Sequence, residues 1–136
     1  MSAGEEFLEW FETTWKDAED AVHDGSVDAR SATWSDHAPV TLFGAGWNAR
    51  TPEEARAVFQ RLGESFGDFE SGEVDLVAYD VHGDLAYTVH REHTKTSVHG
   101  EPRDYVLRVT QVYRREDGAW RVVHRHGDNE AWVATP

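Results

Sequence analysis

The stretch Tyr105-Val106-Leu107-Arg108-Val109-Thr110-Gln111-Val112-Tyr113-Arg114-Arg115-Glu116-Asp117-Gly118-Ala119-Trp120-Arg121-Val122-Val123-His124-Arg125-His126-Gly127-Asp128 carries the densest structural signal in the chain. β-Branched and aromatic residues alternate with polar ones on both sides of Asp117-Gly118, and Asp-Gly between two such runs marks a hairpin. Strict alternation places Val106, Arg108, Thr110, Val112 and Arg114 on one face of the first strand. Tyr105, Leu107, Val109, Gln111 and Tyr113 fall on the other. On the second strand Trp120, Val122, His124 and His126 share a face, opposite Arg121, Val123 and Arg125. Both faces are partly apolar, whereas an antiparallel sheet covered by helices on one side usually leaves the other side wet. A second partner is expected, and a second copy of the chain is the simplest one. The stripe assigned to that homodimer contact, on the outer sheet face, is Tyr105, Leu107, Val109, Tyr113 and Val123.

Outward from the hairpin, period-two segments at 70–79 and 85–95 predict two more strands, with reversals at 80–84 and 115–118 and a looser connection over 96–102. The first part of the chain has a helical period instead. Phe7, Phe11, Trp15, Ala18 and Val22 form one stripe, Ser2 and Glu5 have capping-box spacing, and Asp24-Gly25 stops the helix. A short helix is expected over 28–34, a strand over 40–43 and a helix from Thr51 to about Phe66, opened by Thr51-Pro52-Glu53-Glu54. Helices followed by antiparallel strands predict an α+β fold in one domain spanning 1–136.

The 136 residues carry 13 Lys+Arg against 26 Asp+Glu, a net charge of −13, with six tryptophans and no cysteine. That balance excludes duplex nucleic acid and anionic membranes as default partners, since both are bound through an excess of Lys and Arg. Without cysteine there is no disulfide framework, thiolate nucleophile or Cys-ligated metal. The amino-terminal residues lack a basic, apolar secretion signal, and a soluble cytoplasmic protein is the expectation. The charge is uneven: residues 1–30 are strongly acidic, whereas 103–126 are net basic, which leaves room for a small anionic ligand.

Candidate chemistry concentrates at the end of the hairpin. Arg108, Thr110, His124 and His126 share a face with Trp120 and Val122, and four polar groups together on such a face point to a cavity. Arg108 is the candidate anchor for an anionic or carbonyl oxygen. His124 or His126 is the candidate acid–base group, with Asp128 nearby to oppose its desolvation. The plain alternative is a structural His bonded to Arg108 or Asp128. Two His at i and i+2 also suit a metal, but the third ligand that a site requires is not fixed, and no metal is assigned. Trp34, Phe43 and Trp47 are candidates for the pocket mouth, with His90, Thr110 and Val122 on its wall. Trp15 and Trp120 go to packing, and Trp132 is a candidate cover for the pocket or the dimer seam. No phosphate-binding Gly loop, nucleophile elbow or zinc-helix motif is present, so no cofactor is implied.

Arg-x-Thr at 108–110, the Asp117-Gly118 turn and Trp-x-x-x-His-x-His at 120–126 resemble the closing hairpin of the SnoaL-like branch of the NTF2-like superfamily, which also holds ketosteroid isomerases. Leu85-Ala86-Tyr87 and the helix after Thr51 extend the resemblance over nearly the whole chain. It implies a cone-shaped cup of N-terminal helices on a curved antiparallel or mixed sheet, commonly dimerised through the outer sheet face. In the steroid isomerases a catalytic carboxylate sits on the short strand after the second helix. The matching position here falls on or near Leu42, so that base is absent. Three readings follow. One is an isomerase, dehydratase or hydratase acting on a small apolar or aromatic molecule by His acid–base chemistry. The second is a non-catalytic dimeric ligand-binding or accessory protein, and the third is a protein-interaction module with a filled cup.

Overall fold

Ser2 opens the first helix with a reciprocal cap: its hydroxyl accepts from the Glu5 amide at 3.1 Å, and the Glu5 carboxylate accepts from the Ser2 amide at 3.2 Å. In the computed structural model, which describes residues 1–130, this helix is α1 (Ala3–Trp10), a π-helical turn (Phe11–Trp15) and α2 (Lys16–Val22) in direct succession. Trp132 lies outside the described residues. The predicted stripe is the buried one: Phe7, Phe11, Trp15, Ala18 and Val22 are all inside. Residues 7, 11, 15 and 19 are four apart, a spacing that drifts about 40° per step around a helix of 3.6 residues per turn. The wider i→i+5 turn drifts the opposite way. Glu19 thereby stays on the buried side with the aromatic residues.

The chain continues through α3 (Asp28–Thr33), β1 (Thr41–Phe43), β2 (Asn48–Ala49), α4 (Pro52–Ser65), β3 (Phe66–His82), β4 (Leu85–Val98), β5 (Glu101–Glu116) and β6 (Ala119–Asn129). Thr51 caps α4, its hydroxyl accepting from the Glu54 amide at 3.1 Å, with Pro52 in the first turn. The six strands form one mixed sheet in the order β2-β1-β6-β5-β4-β3, antiparallel except for the parallel pair β1 and β6. The expected loose connection after residue 95 is a two-residue hairpin instead. His99 and Gly100 both take positive φ, 51° and 80°, the conformation that joins twisted strands tightly. Asp117 and Gly118 do the same between β5 and β6, at 51° and 78°.

The helices pack on one face of this sheet. Phe7 meets Tyr113 and Trp120 edge-on at 4.9 and 5.2 Å between ring centroids, while Phe11 and Trp15 stack at 4.5 Å. Both of the latter present to the His90 ring, at 5.4 and 5.2 Å. Trp34 joins this core against Phe59, and Val40, Leu42, Val58 and Val122 complete it. The result is the expected α+β cup, with helices lining a curved sheet.

One irregularity decides which side chains face the cup. In β5–β6 pairing Tyr113 lies opposite Val122 and Val112 lies opposite His124, so Val123 is an extra residue, a β-bulge. Val122 and Val123 are both buried, and from there the parity of β6 is reversed. Arg125 and Gly127 turn to the helices, whereas His124, His126 and Asp128 turn to the outer face opposite Val112, Thr110 and Arg108. Alternation without the bulge had grouped the two histidines with Trp120 and Val122, and that placement is corrected. The homodimer stripe is corrected with it. Val109, Tyr113 and Val123 are buried, and Tyr105 and Leu107 line the cup.

Candidate functional site

At the centre of the helix-covered face lies a closed ring of buried polar side chains. Arg125, at the position where the bulge turns β6 inward, grips Glu92 on β4 with two hydrogen bonds of 2.8 and 2.7 Å. Its Nη1 also donates to the Gln111 carbonyl oxygen at 2.9 Å. Because Arg can only donate, Gln111 must turn its oxygen to Arg125 and its NH2 to Tyr113, whose oxygen is 2.5 Å away. The Tyr113 hydroxyl then donates to Thr88 at 2.7 Å, and Thr88 donates to His90 Nδ1 at 3.1 Å. His90 therefore carries its proton on Nε2 and donates it to Glu92 at 2.8 Å, closing the ring. The Arg125 donors fix the Gln111 end and the Glu92 acceptors fix the His90 end, and the sense given between them uses both the Tyr113 and the Thr88 hydroxyl hydrogens.

Glu19 joins this ring to the helices. Its carboxylate pairs with Arg30 on α3 and lies 3.5 Å from Arg125 Nη1. The two guanidinium groups and the two carboxylates balance, which is the condition for holding charges in a low-dielectric interior. Burial would raise the Glu92 pKa, but the charge and hydrogen bonds of Arg125, with the His90 bond, hold it well below the usual carboxylate range. Burial also pushes the Tyr113 hydroxyl up, so it stays a donor at neutral pH. The Arg30 Nε donor is buried and has no acceptor among the described residues.

Two members of this ensemble, Arg30 and Arg125, stand in the wall of an open cup of about 460 Å³. Leu42, Val58, Leu62, Phe66 and Leu107 supply apolar walls, Trp47 and Gly44–Gly46 stand at one rim, and Arg30, Arg125, Tyr105 and His23 supply polar groups. The volume is within the usual range for small-molecule sites, as is a mostly apolar lining with a few convergent polar groups. Trp47 is 41% exposed, and the Arg61 guanidinium lies 5.5 Å from its ring centre. Tyr105 is pushed up to about 12 by burial and by the Glu92 charge, so its hydroxyl stays protonated. His23 ends α2. Its Nδ1 is 2.6 Å from the Glu19 carbonyl oxygen, which can only accept, so the proton sits on Nδ1 and the lone pair on Nε2. Burial lowers the His23 pKa, opposed in part by Glu19 and reinforced by Arg30, and the imidazole is neutral at pH 7.

Of the residues singled out in the sequence, Trp47 is at the cup. Trp34 and Val122 are packed in the core, and His90 is locked in the ring. Arg108, Thr110, His126 and Asp128 do come together, but in a shallow hollow of about 380 Å³ on the opposite, outer face of the sheet. There Arg108 is bound to Asp128 by two hydrogen bonds of 2.9 and 2.7 Å. His124 Nδ1 meets the Thr41 hydroxyl at 2.7 Å, and Phe43 presents to the rings of both His124 and His126 on that face. Burial and the neighbouring His126 lower the His124 pKa. Among the described residues no group of three or more His, Cys, Asp or Glu side chains could hold a metal ion, and no helix is long and apolar enough to cross a membrane.

Arg30, Arg125, Glu19, Glu92 and His23 were not selected from the sequence. A carboxylate four residues after Trp15 on an apolar stripe was a usable signal for Glu19. Glu92, in step with Ala86, Thr88 and His90, was another.

A family profile described as the SnoaL-like domain matches residues 12–127. The chain belongs to the SnoaL-like family. Solved structures share the fold of this SnoaL-like protein. One is a candidate dehydratase of the NTF2-like family from Streptomyces avermitilis, at 17% identity over 97% of this chain and 100% of that one, with a TM-score of 0.76. A ketosteroid isomerase-like protein from Erwinia carotovora atroseptica follows at 16% identity, 91% and 94% coverage, and 0.74. A candidate calcium/calmodulin-dependent protein kinase type II association domain from Thiobacillus denitrificans has 23% identity, 89% and 93% coverage, and 0.71. No curated protein matches the sequence. In this SnoaL-like chain Leu42, on or near which the resemblance sets the steroid-isomerase carboxylate position, is a buried apolar wall residue of the cup.

The buried His23 and Glu92 make the fold sensitive to acid in two stages. The His23 pKa is lower in the folded protein than its ordinary 6.5, so the unfolded chain takes up the proton first and stability falls as pH drops below about 6.5. The Glu92 pKa is also lowered, from an ordinary 4.5, so its contribution is complete above that value and is lost as pH falls further. Urea unfolding should show Arg125→Met losing about 3–5 kcal/mol, because Glu92 is left buried without its partner. Glu92→Gln should flatten the limb below pH 4.5 while keeping the shallower loss between 6.5 and 4.5. An Arg125→Met variant as stable as the parent would contradict the ring.

Proposed function

We propose that this SnoaL-like chain binds a small, largely apolar organic molecule in the cup, with a carbonyl or carboxylate oxygen turned toward the Arg30 and Arg125 wall. One observation carries the reading: an open cavity of about 460 Å³ whose apolar lining converges on two buried guanidinium groups and the protonated Tyr105 hydroxyl. A cup filled by core side chains is the less favoured alternative, since Trp47 stands exposed at the rim over open volume. The catalytic form of the reading, isomerisation, dehydration or hydration, needs a proton acceptor at the cup wall. His23, neutral with its lone pair on Nε2, meets that requirement better than His124 or His126 on the far side of the sheet. The names of the similar structures, a candidate dehydratase and a ketosteroid isomerase-like protein, agree with such chemistry.

The test is calorimetric titration with 2-naphthoate and its neutral amide, two-ring probes of the proposed class. Saturable binding of at least one is expected. Leu62→Trp, which fills the cup, should weaken it tenfold or more without lowering the thermal midpoint. Binding that ignores Leu62→Trp, or no binding by either probe, would count against the cup.

Self-association rests on a different set of residues from the stripe read in the sequence. The outer face exposes Val77 at 57%, Tyr87 at 43% and Val89 at 36%, a contiguous apolar patch of the kind that marks an interface. A second copy seated there is the occupant this reading selects. Sedimentation should give a dimer for the parent and a monomer for Tyr87→Lys with Val89→Lys; a parent that sediments as a monomer at high concentration would remove it.

A further inference from the structure

The cup presents a problem of charge to any ligand that brings a carboxylate. Its two buried cations are already balanced: Arg125 by Glu92, and Arg30 by Glu19. An anion entering that wall would add a negative charge with no counterpart, in surroundings where an uncompensated charge is costly. Arg103 at the rim is half exposed and paired with Glu101, so its charge is already partnered and solvated. The compensating charge has to come from a group that can take up a proton inside the cup.

His23 is placed to do so. It is buried at the cup wall, with its Nδ1–H held by the Glu19 carbonyl oxygen, so its Nε2 lone pair is the nitrogen left to accept a proton. The groups that face it come from several elements. From α2 there is the Glu19 carboxylate, from α3 Arg30, from β4 Glu92 and the Thr96 hydroxyl, which donates to the His23 carbonyl oxygen, and from β3 the Phe66 ring at 4.7 Å. Burial, reinforced by Arg30 and opposed by Glu19 and Glu92, keeps the imidazole neutral. One added negative charge in the cavity reverses that balance.

We propose that the cup takes up an organic acid as its anion together with one proton from solvent, and that His23 Nε2 receives the proton. This rests on the small-molecule reading of the cup and names its ligand class, a monocarboxylate with an apolar body. Coupling of this kind is reciprocal: the anion raises the proton affinity of His23 by the same factor that the proton raises the affinity for the anion. His99, the other histidine at the cavity, lies exposed in the β4–β5 turn, where water solvates either charge state.

The experiment is titration of the protein with 2-naphthoate at pH 7.5 in phosphate and in Tris, whose ionisation heats differ, and across pH 6 to 8.5. Uptake approaching one proton per ligand is expected, with affinity falling up to tenfold per pH unit above the pKa of the free His23. The neutral 2-naphthamide should bind with no uptake. His23→Asn keeps an N–H for the Glu19 carbonyl oxygen but cannot titrate, and it should bind naphthoate with no uptake and a flat pH profile; His99→Gln should behave as the parent. Should His23→Asn fail to fold, the His23 imidazole resonance of the parent gives the same answer, moving to its protonated position at pH 7.5 when naphthoate saturates the cup. Naphthoate binding without uptake, or uptake that survives His23→Asn, overturns the proposal while the cup stands. Binding of the amide alone overturns the acid as ligand class. If neither probe binds, the small-molecule reading falls and this proposal falls with it.

Discussion

The two-pronged bond between Arg125 and Glu92 organises everything else in this protein. A guanidinium and a carboxylate can be buried together only with good geometry and with their remaining donors and acceptors satisfied. Here each requirement recruits a neighbour. Gln111 takes the third Arg125 contact, His90 takes the remaining Glu92 contact, and Tyr113 and Thr88 close the path between them. The hydrogen bonds run from Arg125, which only donates, to Glu92, which only accepts, along both arms of the ring, so no member can reverse its role without breaking another. The ring ties β4, β5 and β6 together across the face that the helices cover, and Glu19 extends the hold to α2 and α3.

The same economy shapes the cup. The helices bury a row of aromatic rings over one end of the sheet, where Phe7, Phe11 and Trp15 seal the ring from solvent. Toward the other end the packing opens, and Arg30, Arg125 and Tyr105 stand at the edge of an apolar cavity. Polar groups held rigid by a buried network, at the wall of an apolar space, are prepared to meet a ligand oxygen with little reorganisation. The strongly acidic amino-terminal segment is part of this arrangement. Most of its carboxylates are on the surface, but Glu19 is inside as the counterion of both arginines.

Much of the fold was legible because its signals are local. Ser2 with Glu5, Thr51 with Pro52, the stripe from Phe7 to Val22 and Asp117-Gly118 each specify structure within a few residues, and each stands where expected. The turn at His99-Gly100 was missed because His, and not the Asp or Asn that signals such a turn, precedes the glycine. The site was misread for one reason that spread. A single bulge at Val123 reverses the parity of the rest of β6, so the conspicuous His124 and His126 face outward and the unremarked Arg125 faces in. On β5 no bulge intervenes, and the apolar alternate residues Val109 and Tyr113 face the core as apolar residues ordinarily do. Arg108 and Thr110 do share the face of the histidines, and the bulge is what brings them there, setting Thr110 opposite His126 and Arg108 opposite Asp128. A bulge of this kind leaves no composition signal, since Val-Val is ordinary strand sequence.

The direct measurement of the account is long-range ¹⁵N–¹H correlation of the histidine rings at pH 7.5, in the protein without ligand. The ring of hydrogen bonds predicts His90 in the neutral form with its proton on Nε2, donated to Glu92, and His23 in the opposite neutral tautomer with its proton on Nδ1. A doubly protonated His90, or a His90 proton on Nδ1, would mean that the chain of donors from Arg125 does not run as described.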